Sequence, residues 1–116
     1  MKIYYACPVR NVTPEFNDGV TAHVEHLEGI GHTVYFPPRD TAQDRYEMDI
    51  CKANRASIIA ADIVYVAWDG KSQGVLFDMG IAWALNKEIR TVIGKMPPAT
   101  RSKSFQNLFF DWEDGS

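Results

Sequence analysis

Four short runs with strand character, separated by helical patterns, constrain this chain more than any other feature. Lys2–Ala6, His32–Phe36, Ile63–Trp68 and Ile89–Ile93 are rich in β-branched and aromatic residues, the composition of pleated, buried segments. Strands that alternate with helices demand crossover connections, which means a parallel sheet with helices packed on its faces. The expected fold is therefore α/β: a flavodoxin-like three-layer sandwich with a parallel sheet of four to five strands, formed as a single domain over residues 1–116.

The intervening segments carry their own signals. Thr13-Pro14-Glu15 reads as a helix start, with Thr13 as cap and Pro14 at the first helical position. Val20, Val24, Leu27 and Ile30 give that helix its apolar face, and Gly29 and Gly31 close it. Pro37-Pro38 stops the second strand, and a loop through Arg39-Asp40-Thr41 leads into a helix from Gln43 to Ala60. The third helix is expected over Val75 to Asn86. Ser104 to Trp112 reads as either a short helix or an edge strand.

Composition excludes several classes. With 116 residues, 46% of them hydrophobic, the chain can bury a core, so disorder is excluded. A net charge of −3 offers no broad cationic face for a nucleic acid polymer, although local cations suit a small anionic metabolite. Cys7 and Cys51 are too few for a disulfide framework and read as free thiols in a reducing cytoplasm. Met1-Lys2 leads directly into a strand, without signal-peptide character. No apolar run approaches membrane-spanning length, so no membrane partner is expected.

Chemistry concentrates at one edge of the expected sheet. The third strand ends in a polar loop, Asp69-Gly70-Lys71-Ser72-Gln73-Gly74, and the next helix opens with one acid, Asp78, among Val75, Leu76, Phe77, Met79 and Ile81. Ligands of open α/β sheets bind beyond the carboxyl ends of strands. A first-turn acid can simply complement the helix dipole, but a carboxylate against an apolar wall is desolvated and suggests a site. Asn54 interrupts the apolar stripe Ile50, Asn54, Ile58 of the preceding helix, either as a buried amide satisfied by backbone or as a pocket amide that reads a base. Arg10 and Ser72 share the carboxyl edge and together could hold a phosphate; singly each reads as an ordinary loop residue. His23 and His26 lack partners for a zinc set. Trp68, at a strand end, is either core or a stacking surface for a base. No phosphate-loop or dinucleotide fingerprint occurs, and no cofactor is expected.

Ile3-Tyr4-Tyr5-Ala6-Cys7-Pro8 resembles the I-Y-L-A-G-P opening of the nucleoside 2-deoxyribosyltransferase family. Ala61-Asp62-Ile63-Val64, Gly74-Val75-Leu76-Phe77-Asp78-Met79-Gly80 and Asn86-Lys87 resemble its central block. The likeness runs in register from Lys2 to Ile93, and the nearest pattern is that of the 2′-deoxynucleoside 5′-monophosphate N-glycosidases, with their S-x-G-V-x-Y-E-L-G segment. The resemblance implies that Asp78 stands where the family keeps a nucleophilic glutamate and Asn54 where it keeps a second acid. It also implies that Arg10 and Ser72 match phosphate contacts. Asp in place of Glu shortens the reach by one methylene, about 1.5 Å. Asn54 can orient a base but not protonate it, and Cys7 replaces a glycine at the pocket floor.

The expected activity is cleavage or transfer at the N-glycosidic bond of a deoxynucleoside or its 5′-monophosphate. Asp78 and Asn54 form the catalytic pair, and Tyr5, Cys7, Arg10, Trp68, Asp69, Ser72, Gly74 and Met79 the substrate-binding set. Alternation puts only one of Tyr4 and Tyr5 on the pocket face, and Tyr5 is assigned to it. The alternatives are a non-catalytic nucleotide or sugar-phosphate binding module and a plain flavodoxin-like interaction protein. A homodimer or higher homo-oligomer is implied by the resemblance. Phe105, Leu108, Phe109, Phe110 and Trp112 supply an apolar cluster that either forms that interface or covers the chain's own sheet edge.

Overall fold

The computed structural model describes residues 1–92, 96–101 and 103–115. Strands β1 (Lys2–Ala6), β2 (Thr33–Tyr35), β3 (Ile63–Val66) and β4 (Ile89–Thr91) alternate with helices α1 (Pro14–Gly29), α2 (Pro37–Asp40), α3 (Glu47–Ala60) and α4 (Gln73–Ala84), and α5 (Phe105–Glu113) follows β4. The sheet order is β2-β1-β3-β4 and every neighbouring pair is parallel. Ile3 of β1 lies opposite Val34 on one side and Ile63 on the other. The chain thus turns away from β1 in both directions, and the crevice of such a switch point opens beyond the carboxyl ends of β1 and β3.

Period-2 alternation sorts the strand side chains into two layers. Ile3, Tyr5, Ile63 and Tyr65 face α1, packing with Val20, Val24 and Leu27. Tyr4, Ala6, Val64 and Val66 face the opposite layer, packing with Ile58 of α3, Val75, Met79 and Ala82 of α4, and Phe109 of α5. This is the three-layer α/β sandwich expected from the alternation, with four strands among the described residues.

Helix ends follow local chemistry. Thr13 Oγ1 accepts the Phe16 N–H at 3.1 Å, and Pro14 occupies the first position. Gly31, at φ 102°, ends α1. There the His32 N–H reaches the Leu27 carbonyl and the Gly31 N–H the Glu28 carbonyl, both at 3.1 Å, the paired bonds of a Schellman turn.

Several boundaries differ from expectation. α4 starts at Gln73 because Ser72 caps it, its Oγ accepting the Val75 N–H at 3.3 Å. It ends at Ala84 because Asn86, at φ 55°, takes the left-handed position and closes a second Schellman turn. α3 begins at Glu47 rather than Gln43. The Gln43 side chain instead pins the preceding loop, Nε2 donating to the Pro37 and Thr41 carbonyls at 3.1 and 3.0 Å. Where a loop was expected after the second strand, Pro37-Pro38 begin the single turn of α2, and Asp40 accepts the Phe36 N–H at 2.8 Å. The second strand is Thr33–Tyr35, without His32 and Phe36. The third ends at Val66, although the Ala67 N–H still reaches the Ala6 carbonyl at 2.8 Å. The fourth ends at Thr91, and Ile93 lies outside the described residues.

The C-terminal segment is a helix, not an edge strand. The Phe109 ring meets Trp68 edge-on at 5.6 Å, and Trp112 meets Trp83 at 5.1 Å. Glu113 accepts the Thr91 N–H and hydroxyl. Part of the apolar C-terminal cluster therefore covers the chain's own sheet edge, while Phe105 stays exposed.

Candidate functional site

An open cavity of about 770 Å³ occupies the crevice beyond β1 and β3, within the usual size range of small-molecule sites. Four segments wall it: the loop after β1 with Cys7, Arg10 and Asn11; Pro37, Gln43 and the first turns of α3; the loop after β3 with Asp69 and Lys71; and the start of α4. Asn54 and Asp78 lie at its floor, and both are buried.

The sequence puts Asp78 there for a simple reason. Val75, Met79 and Ala82 bury one face of α4 against the sheet, and Asp78, three residues after Val75 and one before Met79, is carried to the boundary between that face and the cavity. Its Oδ2 accepts the Tyr4 hydroxyl at 2.7 Å, and the Asn54 side chain also hydrogen-bonds to it. Burial raises the Asp78 pKa from 3.8 to about 6, against the opposing pull of the Tyr4 and Asn54 bonds. At pH 7 the carboxylate is therefore mostly ionised.

A chain of hydrogen bonds fixes the floor. The Thr41 hydroxyl donates to Asn54 Oδ1 at 2.8 Å and meets the Tyr35 hydroxyl at 2.6 Å. With its oxygen occupied by Thr41, Asn54 presents its amino group to Asp78. The Tyr4 and Tyr35 rings stack at 5.7 Å and 12°, so both ends of the network are held by packing. Burial, with Asp78 beside them, holds the Tyr4 hydroxyl far above its ordinary pKa and pushes the Cys7 thiol up to about 12. Neither gives up a proton near neutrality.

The rim is more polar. Asp69 Oδ1 accepts the Lys71 and Ser72 N–H groups at 3.0 and 2.9 Å, shaping the loop. Ser72 Oγ is occupied as the cap of α4, leaving its proton free to donate. Arg10 is exposed and makes no ion pair among the described residues.

The structure thus brings together Cys7, Arg10, Asn54, Asp69, Ser72, Gly74 and Asp78. Three other residues expected in the binding set lie elsewhere. Tyr5 points into the α1 layer, where its hydroxyl bonds His23 Nδ1 at 2.7 Å; strand parity gives the cavity side to Tyr4 instead. Trp68 lies against Phe109, with Nε1 bonded to the Ser72 carbonyl at 3.3 Å, and Met79 is buried against the sheet. Sequence reasoning weighed Tyr4 but chose Tyr5 in its place, and it missed Thr41 and the cavity-lining Glu47. Only Glu47 had a readable signal, since Glu47, Ile50 and Asn54 follow the i, i+3, i+7 spacing of one helix face. Among the described residues, no group of three His, Cys, Asp or Glu is placed to hold a metal ion.

The family model for nucleoside 2-deoxyribosyltransferases matches residues 3–109. The chain belongs to that family. This deoxyribosyltransferase-family chain also shares its fold with two solved structures. A CMP N-glycosidase from Clostridium botulinum (BcmB) superposes with a TM-score of 0.59 at 16% identity, covering 78% of this chain and 67% of the other. A 2-deoxyribosyltransferase from Leishmania mexicana superposes with a TM-score of 0.60 at 23% identity, covering 78% of this chain and 62% of the other. The family member described here thus spans about two-thirds of the length of those proteins. Comparison with curated proteins finds no match. No helix among the described residues is long and apolar enough to cross a membrane.

Proposed function

We propose that the chain cleaves, or transfers to a second base, the N-glycosidic bond of a 2′-deoxynucleoside or its 5′-monophosphate, with Asp78 as nucleophile. The observation that carries this reading is a buried carboxylate at the floor of a nucleoside-sized cavity, held by Tyr4 and Asn54 and ionised at neutral pH. One Asp78 oxygen attacks C1′ as the C1′–N bond pair moves onto the base. The resulting glycosyl-enzyme is then opened by water or an acceptor base, which releases the carboxylate. Asn54 acts here as a positioning residue: its amide holds the nucleophile and its oxygen is taken by Thr41.

Arg10, the Ser72 hydroxyl and the dipole at the capped N-terminus of α4 favour an anion on the rim, which suits a 5′-phosphate. The same reading treats residues 1–116 as one domain that needs no cofactor. It also infers a homo-oligomer in the cytoplasm, with Phe77, Trp83 and Phe105 among the exposed large apolar residues available for contact.

The test is incubation of the purified protein with each deoxynucleoside and deoxynucleoside monophosphate, following free base by chromatography. Base release or exchange that Asp78→Asn abolishes supports the reading; none from folded wild-type protein refutes the catalytic claim. The second reading, a binding module without chemistry, is favoured by the shorter aspartate and by an amide at residue 54. It predicts nucleotide binding that survives Asp78→Asn, with no turnover in either protein.

A further inference from the structure

Cleaving an N-glycosidic bond leaves an electron pair on the base, and a poor leaving group needs a proton as the bond breaks. The floor of the cavity has no source. Asn54 is an amide, the Cys7 thiol and Tyr4 hydroxyl hold their protons, and Asp78 must be ionised to attack. On the rim, Asp69 is tied to two backbone N–H groups that shape its loop. Arg10 and Lys71 lie on the loops around the capped start of α4, the side suited to phosphate.

One carboxyl group lining the cavity is left. Glu47 opens α3 on the same face as Ile50 and Asn54, and all three line the cavity. It is exposed and makes no hydrogen bond or ion pair among the described residues. It stands seven positions before Asn54 along the helix, a rise of roughly 10 Å from floor towards mouth. The stereochemistry makes that height useful. A nucleophile attacks C1′ from the side opposite the leaving group, so with Asp78 beneath the sugar the base projects away from the floor, towards the rim of α3.

We propose that Glu47 is the general acid that protonates the departing base and the general base of the second step. This rests on the N-glycosidic reading of Asp78. In the first step the Glu47 proton passes to the base as the C1′–N bond breaks and the Asp78–C1′ ester forms. In the second, water attacks C1′, its proton goes to the Glu47 carboxylate, and Asp78 is released. Substrate and water thus give 2-deoxyribose, or its 5-phosphate, and free base; in transfer, the acceptor's N–H proton takes the same route.

The experiment compares wild type, Glu47→Gln and Glu47→Asp on two substrates: a natural deoxynucleoside 5′-monophosphate, and the 2-deoxyribose 5-phosphate glycoside of 4-nitrophenol, whose leaving group departs without protonation. Glu47→Gln should lose about 10²- to 10⁴-fold in kcat/KM for base release and change little in kcat/KM for nitrophenol release, which reports the first step alone, and Glu47→Asp should recover part of the loss. Equal losses on both substrates, or none on the natural one, would overturn the assignment while leaving Asp78 as nucleophile. Inactivity of wild type on both substrates would instead remove the N-glycosidic reading itself, and Glu47's role with it. Because Glu47 is exposed, unchanged urea unfolding midpoints verify that each variant is folded.

Discussion

Replacing Asp78 with asparagine should make the protein more stable as pH rises, although the side chain is buried and hydrogen-bonded. The reason lies in the direction of its pKa shift. In the unfolded chain the carboxyl titrates near 3.8; in the fold, burial moves it to about 6. Below pH 3.8 both states are protonated and Asp78 adds no pH dependence. Between 3.8 and 6 the unfolded chain releases the proton while the folded one keeps it, so stability falls by up to about 1.4 kcal/mol per pH unit. Above pH 6 the difference is complete, and a two-unit shift amounts to about 3 kcal/mol. Asparagine does not titrate. It also replaces a charged acceptor with a neutral one, which weakens the Tyr4 and Asn54 bonds by a pH-independent amount of about 1 kcal/mol. The stability of Asp78→Asn minus that of wild type should therefore climb by about 3 kcal/mol from pH 3.5 to 7.5, other groups cancelling in the difference. Urea unfolding followed by circular dichroism across that range measures it directly. A flat difference, or one that falls with pH, would refute both the burial of the charge and the view that stability is given up here for an active carboxylate.

Other consequences are separable. Tyr4→Phe removes a charge-assisted bond of about 1.5–3 kcal/mol, so the Asp78 carboxyl, followed by carbon NMR, should titrate higher by about 1–2 units; an unchanged value would deny Tyr4 its role. Gly31→Ala meets no atom within 4 Å, so its cost should be the left-handed backbone penalty alone, about 1–2 kcal/mol by urea unfolding. Phe109→Ala should cost about 3–5 kcal/mol, and a loss below 1 kcal/mol would mean that α5 does not depend on its seat against Trp68. The Cys7 thiol, pushed up to about 12, should resist an aromatic disulfide reagent at pH 8 in the folded protein and react once urea is added.

The sequence by itself determined the alternation of elements, the parallel sheet and the edge at which a ligand would bind, because those follow from local periodicity and from chirality. It also located Asp78, Asn54, Arg10 and Ser72, whose spacing within single elements is a local property. Helix ends were legible where a glycine marks them, as at Gly31. They were misread where Asn86 takes the left-handed position, because asparagine is as much at home elsewhere. Only the tertiary structure decided which tyrosine meets Asp78. Adjacent strand residues point to opposite faces, and nothing local says which face α1 covers; packing sends Tyr5 to His23 and Tyr4 to the carboxylate. It alone joined Tyr35, Thr41 and Asn54 into one network, since a hydrogen bond between elements has no signature in either. The shift of the Asp78 pKa has the same origin. Desolvation depends on every atom packed around a carboxyl, and that neighbourhood exists only once the chain has folded.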